Sequence, residues 1–221
     1  FIRYYKNTMN AFKYINGSLH CEDVDLSLLG ERYATPSYVY SKKIIEENAK
    51  AYVNSFTNSR NLACYAVKSL SNLSILKIIK DAGCGFDIVS GGELHRVLSI
   101  GADPKKVIFS GVGKTKDEIQ QGINSSILSF NVESESELYR IEKIADDIES
   151  PAPISIRINP DIDSGGHDYI TTGRKGDKFG ISDIRKVIDL CKHAHQSKNL
   201  KIVGLACHIG SQILDLEGFI K

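Results

Sequence analysis

A regular alternation of apolar, β-branched runs with amphipathic stretches constrains the fold of this chain more than any other feature. Six runs have the composition of strands, at residues 62–67, 85–89, 107–110, 127–132, 154–158 and 202–209. They are largely apolar without strict alternation, as expected for parallel strands covered on both sides. The clearest stretch between them places Ile184, Val187, Ile188 and Cys191 at helical spacing. This alternation predicts right-handed βαβ units and a parallel sheet.

The spacing of the runs leaves two architectures open. The first five runs recur at roughly 20–28 residues, about one βα unit of a (β/α)8 barrel. A closed barrel needs eight strands, so six indicate either an open, doubly wound sheet or the front portion of a longer barrel. Residues 1–36 do not follow the alternation. There Asn16-Gly17 predicts a type I′ turn and a β-hairpin, which we assign to a separate β element.

Composition excludes several classes of partner. The chain has 221 residues, 42% hydrophobic and 25% charged, with a net charge of +1. That charge gives no reason to expect nucleic acid or an anionic membrane as a partner, and no apolar run approaches the ~20 residues of a membrane span. The first ten residues lack a signal-peptide pattern. Five widely spaced cysteines without a C-x-x-C pair argue against a disulfide framework or a zinc site, which favours a cytoplasmic protein.

Polar residues follow the predicted strands one after another. In parallel α/β folds, ligands bind at the carboxyl ends of the strands. The residues at or just beyond these ends include Lys68, Asp87, Glu93, Ser110, Asn131, Glu133, Arg157, His208 and Ser211. A single such residue is usually a solvated strand end. Six polar ends in succession predict a binding site on one rim of the sheet.

Lys68 terminates an apolar strand, where a free ammonium is costly unless it is paired. A partly desolvated lysine can attack a carbonyl, which is how Schiff-base lysines work. The alternative is a lysine whose stem crosses apolar surface while its ammonium stays in water, and position alone favours it.

The other strand-end residues suggest supporting roles. His208 could stack on a flat ring or act as a general acid or base. Ser211 could offer a hydroxyl and neighbouring amides to a phosphate. Arg157, inside a strand, needs an anionic partner, either a buried carboxylate or the substrate side of a site. Asp87 and Glu93 are the candidate carboxylates, and also candidates for orienting Lys68.

Two local motifs complete the analysis of the residues. Gly113-Lys114-Thr115 imitates the end of a P-loop, but the glycine required five positions before Gly113 is replaced by Ile108. Ser134 and Glu137 predict a capping box, in which each side chain accepts a hydrogen bond from the backbone amide of the other.

An ordered series of motifs closely resembles the diaminopimelate decarboxylases, which belong to the fold-type III, alanine-racemase-like family of pyridoxal-phosphate enzymes. The series covers the chain from about residue 12 onward, at residues 35–41, 65–68, 85–94, 111–114, 131–134, 157–161, 171–180 and 208–212. This resemblance implies an α/β fold with about six βα units of a (β/α)8 TIM-type barrel at residues 37–221. Residues 1–36 would belong to a separate β domain.

The resemblance also implies a chemistry for the strand-end residues. Lys68 matches the lysine that forms a Schiff base with pyridoxal 5′-phosphate, and His208 matches the imidazole stacked on the pyridine ring. Both are expected to be catalytic. Ser211 matches a phosphate contact, while Asp87, Glu93 and Arg157 match a polar network around the lysine and cofactor, with no metal. The implied enzyme is a carboxy-lyase that converts meso-diaminopimelate, a small amino acid, to L-lysine and CO2, as a homodimer.

Two departures qualify this expectation. Ser69-Leu70 and residues 165–169 differ from the family's usual motifs. Family members are nearly twice as long, so we expect this chain to be an incomplete portion of the enzyme with little activity alone. Two alternatives stay open: an ornithine- or arginine-type decarboxylase of the same fold type, and a non-catalytic relative that binds the cofactor.

Overall fold

The computed structural model describes residues 11–55, 60–160, 179–210 and 220. The chain divides into two compact units. The first comprises Phe1–Tyr65 and Leu70–Gly85, and the second comprises Ala66–Ser69 and Phe86–Lys221. This division follows packing, whereas the domain boundary at residue 36 stays a prediction.

The described elements alternate as expected. The strands are β1 (Phe12–Ile15), β2 (Ser18–Cys21), β3 (Val24–Asp25), β4 (Cys64–Ala66), β5 (Gly85–Ile88), β6 (Val107–Phe109), β7 (Ser129–Val132), β8 (Ala152–Ile158) and β9 (Leu200–Cys207). The helices are α1 (Leu26–Tyr33), α2 (Lys42–Val53), α3 (Leu73–Asp81), α4 (Gly91–Ser99), α5 (Lys116–Asn124), α6 (Glu135–Asp147) and α7 (Ile184–Gln196). None of the helices within these ranges is long and apolar enough to cross a membrane.

The predicted N-terminal hairpin is confirmed. β1 and β2 are antiparallel, with Ile15 opposite Ser18. The connecting residues Asn16 and Gly17 have φ angles of 50° and 86°. A type I′ turn requires positive φ at both central positions, and asparagine and glycine adopt it at least cost. β3 then pairs with β2 to complete a three-stranded antiparallel sheet.

The strand order of the larger sheet decides between the two architectures. Its six strands lie in the order β4-β5-β6-β7-β8-β9, and the pairs from β5 to β9 are parallel. A doubly wound sheet reverses its strand order at a switch point, and this sheet does not. Right-handed crossovers between successive neighbours place all the connecting helices on one face. The sheet therefore consists of successive units of a TIM-type barrel, which confirms the predicted fold class.

The two faces of the sheet differ, contrary to the expectation of strands that are apolar on both sides. One set of alternate positions is fully buried and apolar and packs against the helices: Phe86, Ile88, Val107, Phe109, Phe130, Val132, Ile154 and Ile156. The alternate positions on the other face carry polar side chains, among them Asp87, Asn131, Ser155 and Arg157. Side chains of a strand alternate between faces, so the polar set shares the face opposite the helices.

The start of α6 corrects the predicted capping box. Ser134 Oγ accepts a hydrogen bond from the amide of Glu137 at 3.3 Å, as predicted. The Glu137 carboxylate, however, accepts from the amide of Glu133 at 2.7 Å and not from Ser134. A complete capping box occurs one unit earlier, between Thr115 and Glu118 at the start of α5.

Gly122 on α5 tests how tightly the helix layer packs on the sheet. A Cβ atom there would lie 2.6 Å from Cζ of the buried Phe130. Overpacking of this kind typically costs about 1–3 kcal/mol. We expect Gly122→Ala to lower the free energy of unfolding by at least that amount in urea titrations. Gly92→Ala is the control, because its Cβ would meet nothing closer than 3.9 Å. Equal midpoints for the two variants would contradict the packing described.

Candidate active site

Lys68 lies just beyond the carboxyl end of β4, in the 3-10 turn Val67–Ser69. Ser69 Oγ donates to the carbonyl oxygen of Ala66 at 2.7 Å and closes this turn. The Lys68 side chain is exposed in the described structure. This exposure agrees with the interpretation that position alone favoured, an ammonium kept in water, because the strand ends at Ala66 and the turn carries the lysine outward. Its position on the carboxyl rim is as expected.

Asp87 lies at one end of a hydrogen-bonded row that crosses three strands, with Ser110 in the middle. Ser110 Oγ, just after β6, donates to Asp87 Oδ1 at 2.5 Å. Asn131 Nδ2, on β7, donates to Ser110 Oγ at 2.9 Å. Ser110 and Asn131 were noticed in the sequence only as polar strand ends, since the row depends on the strand register.

The electrostatics of Asp87 bring together residues that are distant in sequence. Burial raises the pKa of Asp87. The hydrogen bond from Ser110 and the charges of Lys68, His208 and Arg157 oppose that rise. These three side chains are therefore near enough to act on one carboxyl group, and the predicted convergence of the strand ends is present in the fold.

Glu133 is the anionic partner of Arg157, in place of the predicted Asp87 or Glu93. Arg157 Nη1 donates to Glu133 Oε1 at 3.0 Å, and the Glu133 side chain is only 2% exposed. The amide of Gly111 donates to the same oxygen at 3.3 Å. The guanidinium also lies 5.4 Å from the ring centroid of Phe179, in cation–π contact. The prediction missed this pair because β7 and β8 bring the two residues together only through sheet pairing.

His208 follows β9 and belongs to the same electrostatic cluster. Burial lowers its pKa, and the charges of Arg157 and Lys68 lower it further. Asp87 and Glu133 act in the opposite direction. The net effect favours a neutral imidazole, the form that can accept a proton.

Two expected site residues are placed differently or lie outside the description. Glu93 Oε2 accepts from the amide of Val89 at 2.8 Å, and its own amide donates to Ser90 Oγ at 3.2 Å. In the described structure its carboxylate thus caps the start of α4. Ser211 lies outside the described residues, as does the loop at 161–178.

Lys114, dismissed in the sequence as part of a failed P-loop, is a buried structural cation. Its side chain is 0% exposed. Nζ donates to the carbonyl oxygens of Gly111 (2.5 Å) and Asn131 (2.8 Å) and to Glu137 Oε1 (2.8 Å). Three acceptors use all three ammonium hydrogens. A lysine just beyond a buried strand, with a glutamate at the third position of the helix of the following βα unit, was the available signal.

The chain belongs to the family of pyridoxal-dependent decarboxylases. The model of that family's pyridoxal binding domain matches residues 42–221. The cofactor that this family uses is pyridoxal phosphate, and the predicted cofactor is confirmed at that level.

Comparison with individual proteins shows similarity to diaminopimelate decarboxylases in particular. The diaminopimelate decarboxylase of Haemophilus influenzae is 46% identical over 212 residues, which cover 96% of this chain and 51% of that protein. The crystal structure of diaminopimelate decarboxylase from Helicobacter pylori complexed with L-lysine has a TM-score of 0.86 at 42% identity, over 89% of this chain and 50% of that one. The enzyme from M. jannaschii, also in complex with L-lysine, has a TM-score of 0.85 at 34% identity, over 96% and 51%. The chain thus spans about half the length of these relatives.

Loss of the buried ammonium should be costly. Removing one partner of a buried ion pair typically costs about 3–5 kcal/mol, because the other charge stays buried. We therefore expect Lys114→Met to lower the unfolding free energy by that amount in urea titrations, and Lys114→Met/Glu137→Gln to recover part of it. Lys116→Met is the control: its side chain is 65% exposed, and exposed ion pairs are worth at most about 1 kcal/mol. Similar losses in the two single variants would contradict this account.

The raised pKa of Asp87 predicts a pH dependence of stability. The folded state keeps this proton to a higher pH than the unfolded chain, whose aspartates titrate near about 3.9. The free energy of unfolding therefore falls as the pH rises from about 3.9 to the higher pKa of Asp87 in the folded state. In urea titrations across pH, Asp87→Asn should remove this fall and gain stability relative to the parent.

Asp25→Asn is a control, because the contribution of Asp25 to stability changes with pH in the opposite direction. Hydrogen bonds from Ser18 and Ser27 lower the pKa of Asp25 to about 2. Its stabilising contribution is present above about pH 3.9 and is lost as the pH falls towards 2. Parallel pH curves for the parent and Asp87→Asn would contradict the assignment of a raised pKa to Asp87.

Proposed function

We propose that this chain is the pyridoxal phosphate-binding portion of a diaminopimelate decarboxylase. In this proposal the amine of Lys68 bonds the aldehyde of the cofactor. The observation that carries the proposal is the convergence of four chemically different groups on one rim of the sheet. They are the amine of Lys68, the carboxyl of Asp87, the guanidinium of Arg157 and the imidazole of His208. Family membership supports the same assignment.

The groups present fit the chemistry of pyridoxal phosphate. An aldehyde needs a primary amine, and Lys68 presents one on an accessible turn. A flat aromatic ring suits the neutral imidazole of His208, whose pKa is lowered by burial. An anionic ligand suits a rim that carries Lys68 and Arg157. Ser211, directly after Gly210, is the proposed phosphate contact.

The residues around the cofactor have distinct proposed tasks. When bound, pyridoxal phosphate supplies an electron sink for the charge left on the carbon that loses its carboxylate. Asp87, fixed by Ser110 at 2.5 Å, holds a proton or a negative charge beside Lys68 according to pH. Arg157 supplies a fixed positive charge. Glu93 contributes by anchoring the start of α4 beside the end of β5.

The proposed reaction is decarboxylation of meso-diaminopimelate to L-lysine. The bond between the α carbon and a carboxylate breaks, CO2 leaves, and a proton takes its place on that carbon. The similarity to diaminopimelate decarboxylases supports this substrate, as does the L-lysine in two of the solved relatives. A homodimeric, cytoplasmic enzyme is part of the proposal. Five free cysteines support a reducing compartment.

Lys68→Ala tests the cofactor assignment. We expect the parent to develop the visible absorbance of lysine-bound pyridoxal phosphate on titration, and Lys68→Ala to lose it because the amine proposed to bond the aldehyde is removed. Lys77→Ala, an exposed lysine on α3, is the matched control and should behave as the parent. An unchanged spectrum in Lys68→Ala would remove Lys68 from the site.

Substrate identity needs a separate measurement. CO2 release is compared for diaminopimelate, ornithine and arginine, on this chain and on a longer protein that contains it. Release from diaminopimelate alone is expected. Preference for ornithine or arginine would reassign the substrate, and cofactor binding without any release would indicate a non-catalytic relative.

A further inference from the structure

Glu133 is more deeply buried than Lys68, Asp87, Glu93, Arg157 or His208, and it contacts Arg157 directly. Its Oε1 accepts from Arg157 Nη1 at 3.0 Å and from the amide of Gly111 at 3.3 Å. Its own amide donates to Glu137 Oε2 at 2.7 Å. The residue is thus fixed at both its backbone and its carboxylate.

The second oxygen of this carboxylate is unusual. Within the described part of the chain, Glu133 Oε2 is the one buried side-chain oxygen or nitrogen without a hydrogen-bond partner. Buried polar atoms are nearly always paired, because an unpaired one loses its hydration without compensation. Hydrogen bonding of Oε2 therefore does not explain a carboxylate at this position. Its charge beside Arg157 does.

The charges around Arg157 indicate what the Glu133 carboxylate does in the site. Arg157 is 12% exposed and cannot lose its proton. Asp87 is an uncertain counterion, because burial raises its pKa. Glu133 is the carboxylate in direct contact with the guanidinium, at 3.0 Å.

We propose that Glu133 is a positioning residue of the active site, which holds the guanidinium of Arg157 in place and offsets its positive charge at the site. The importance of this role for cofactor binding rests on the proposed function. The charge relation itself requires no cofactor.

The imidazole of His208 is the natural reporter of this role. Among the described residues, the charged groups that act on it are Arg157 on β8, Lys68 after β4, Asp87 on β5 and Glu133 just after β7. Arg157 and Lys68 lower its pKa, whereas Asp87 and Glu133 raise it. Removing the charge of Glu133 must therefore move the His208 titration to lower pH.

Glu133→Gln is close to an ideal probe. The amide oxygen can keep the bonds to Arg157 and Gly111, while the amide nitrogen replaces Oε2, which accepts no bond. The substitution thus removes the charge and breaks no hydrogen bond. Glu142→Gln is the matched control: Glu142 is a part-buried glutamate on α6 whose Oε2 lies 2.7 Å from His193 Nε2, and it is not among the described charged groups that act on His208.

The experiment is an NMR titration of the His208 imidazole in the full chain without cofactor. We expect the midpoint to fall in Glu133→Gln, to rise in Arg157→Gln, and to return towards the parent value in the double variant. Glu142→Gln should leave it unchanged. If Glu133→Gln does not fold, Arg157→Gln is compared with the double variant instead. The His208 midpoint must then be lower in the double variant than in Arg157→Gln.

A His208 midpoint that Glu133→Gln leaves unchanged, in a folded protein, would overturn the proposal and leave Glu133 as a structural residue. The same holds if the double variant titrates like Arg157→Gln. Failure of the chain to bind pyridoxal phosphate would instead refute the proposed function and leave this result standing. The two failures are therefore distinguishable.

Discussion

The buried ammonium of Lys114 is the interaction on which the geometry of the site depends. It bonds the carbonyl oxygens of Gly111 and Asn131. The amide of Gly111 binds Glu133, and the side chain of Asn131 binds Ser110. The hydrogen bonds that hold Arg157 and Asp87 in place are thus both linked to the ammonium of Lys114. An ammonium without water must be fully satisfied by protein acceptors, so the surrounding loops have little freedom to differ.

The same principle recurs around the rim. Glu118, at the start of α5, accepts from the amide of Gly91 in the preceding βα unit at 2.7 Å. Glu137, at the start of α6, binds Lys114 of its own preceding unit at 2.8 Å. In each case a carboxylate in the first turn of a helix reaches back one unit. First-turn carboxylates also complement the helix dipole, so one residue stabilises its helix and fixes its neighbour.

The sequence allowed the fold to be predicted far better than the contacts of the site. Apolar runs located the six strands of the parallel sheet, and the Asn16-Gly17 pair located the hairpin, since both signals are local; the short β3 was not predicted. The location of Asp87, Arg157 and His208 on one rim also followed from strand ends. The partner of Arg157 did not, because Glu133 reaches it through the register of two strands. The turn that carries Lys68 was not predicted either, since the point where a strand gives way to a turn is set by packing.

The charges of the site show why these corrections matter for its chemistry. Burial drives both Asp87 and His208 towards their neutral forms, raising the pKa of one and lowering that of the other. Arg157 is compensated by Glu133 at 3.0 Å. The paired groups therefore contribute little net charge, whereas the ammonium of Lys68 is exposed. A reactive amine needs access to its ligand, whereas the groups that orient a ligand need to be held. The division between an exposed turn and a buried network meets both needs within one rim of the sheet.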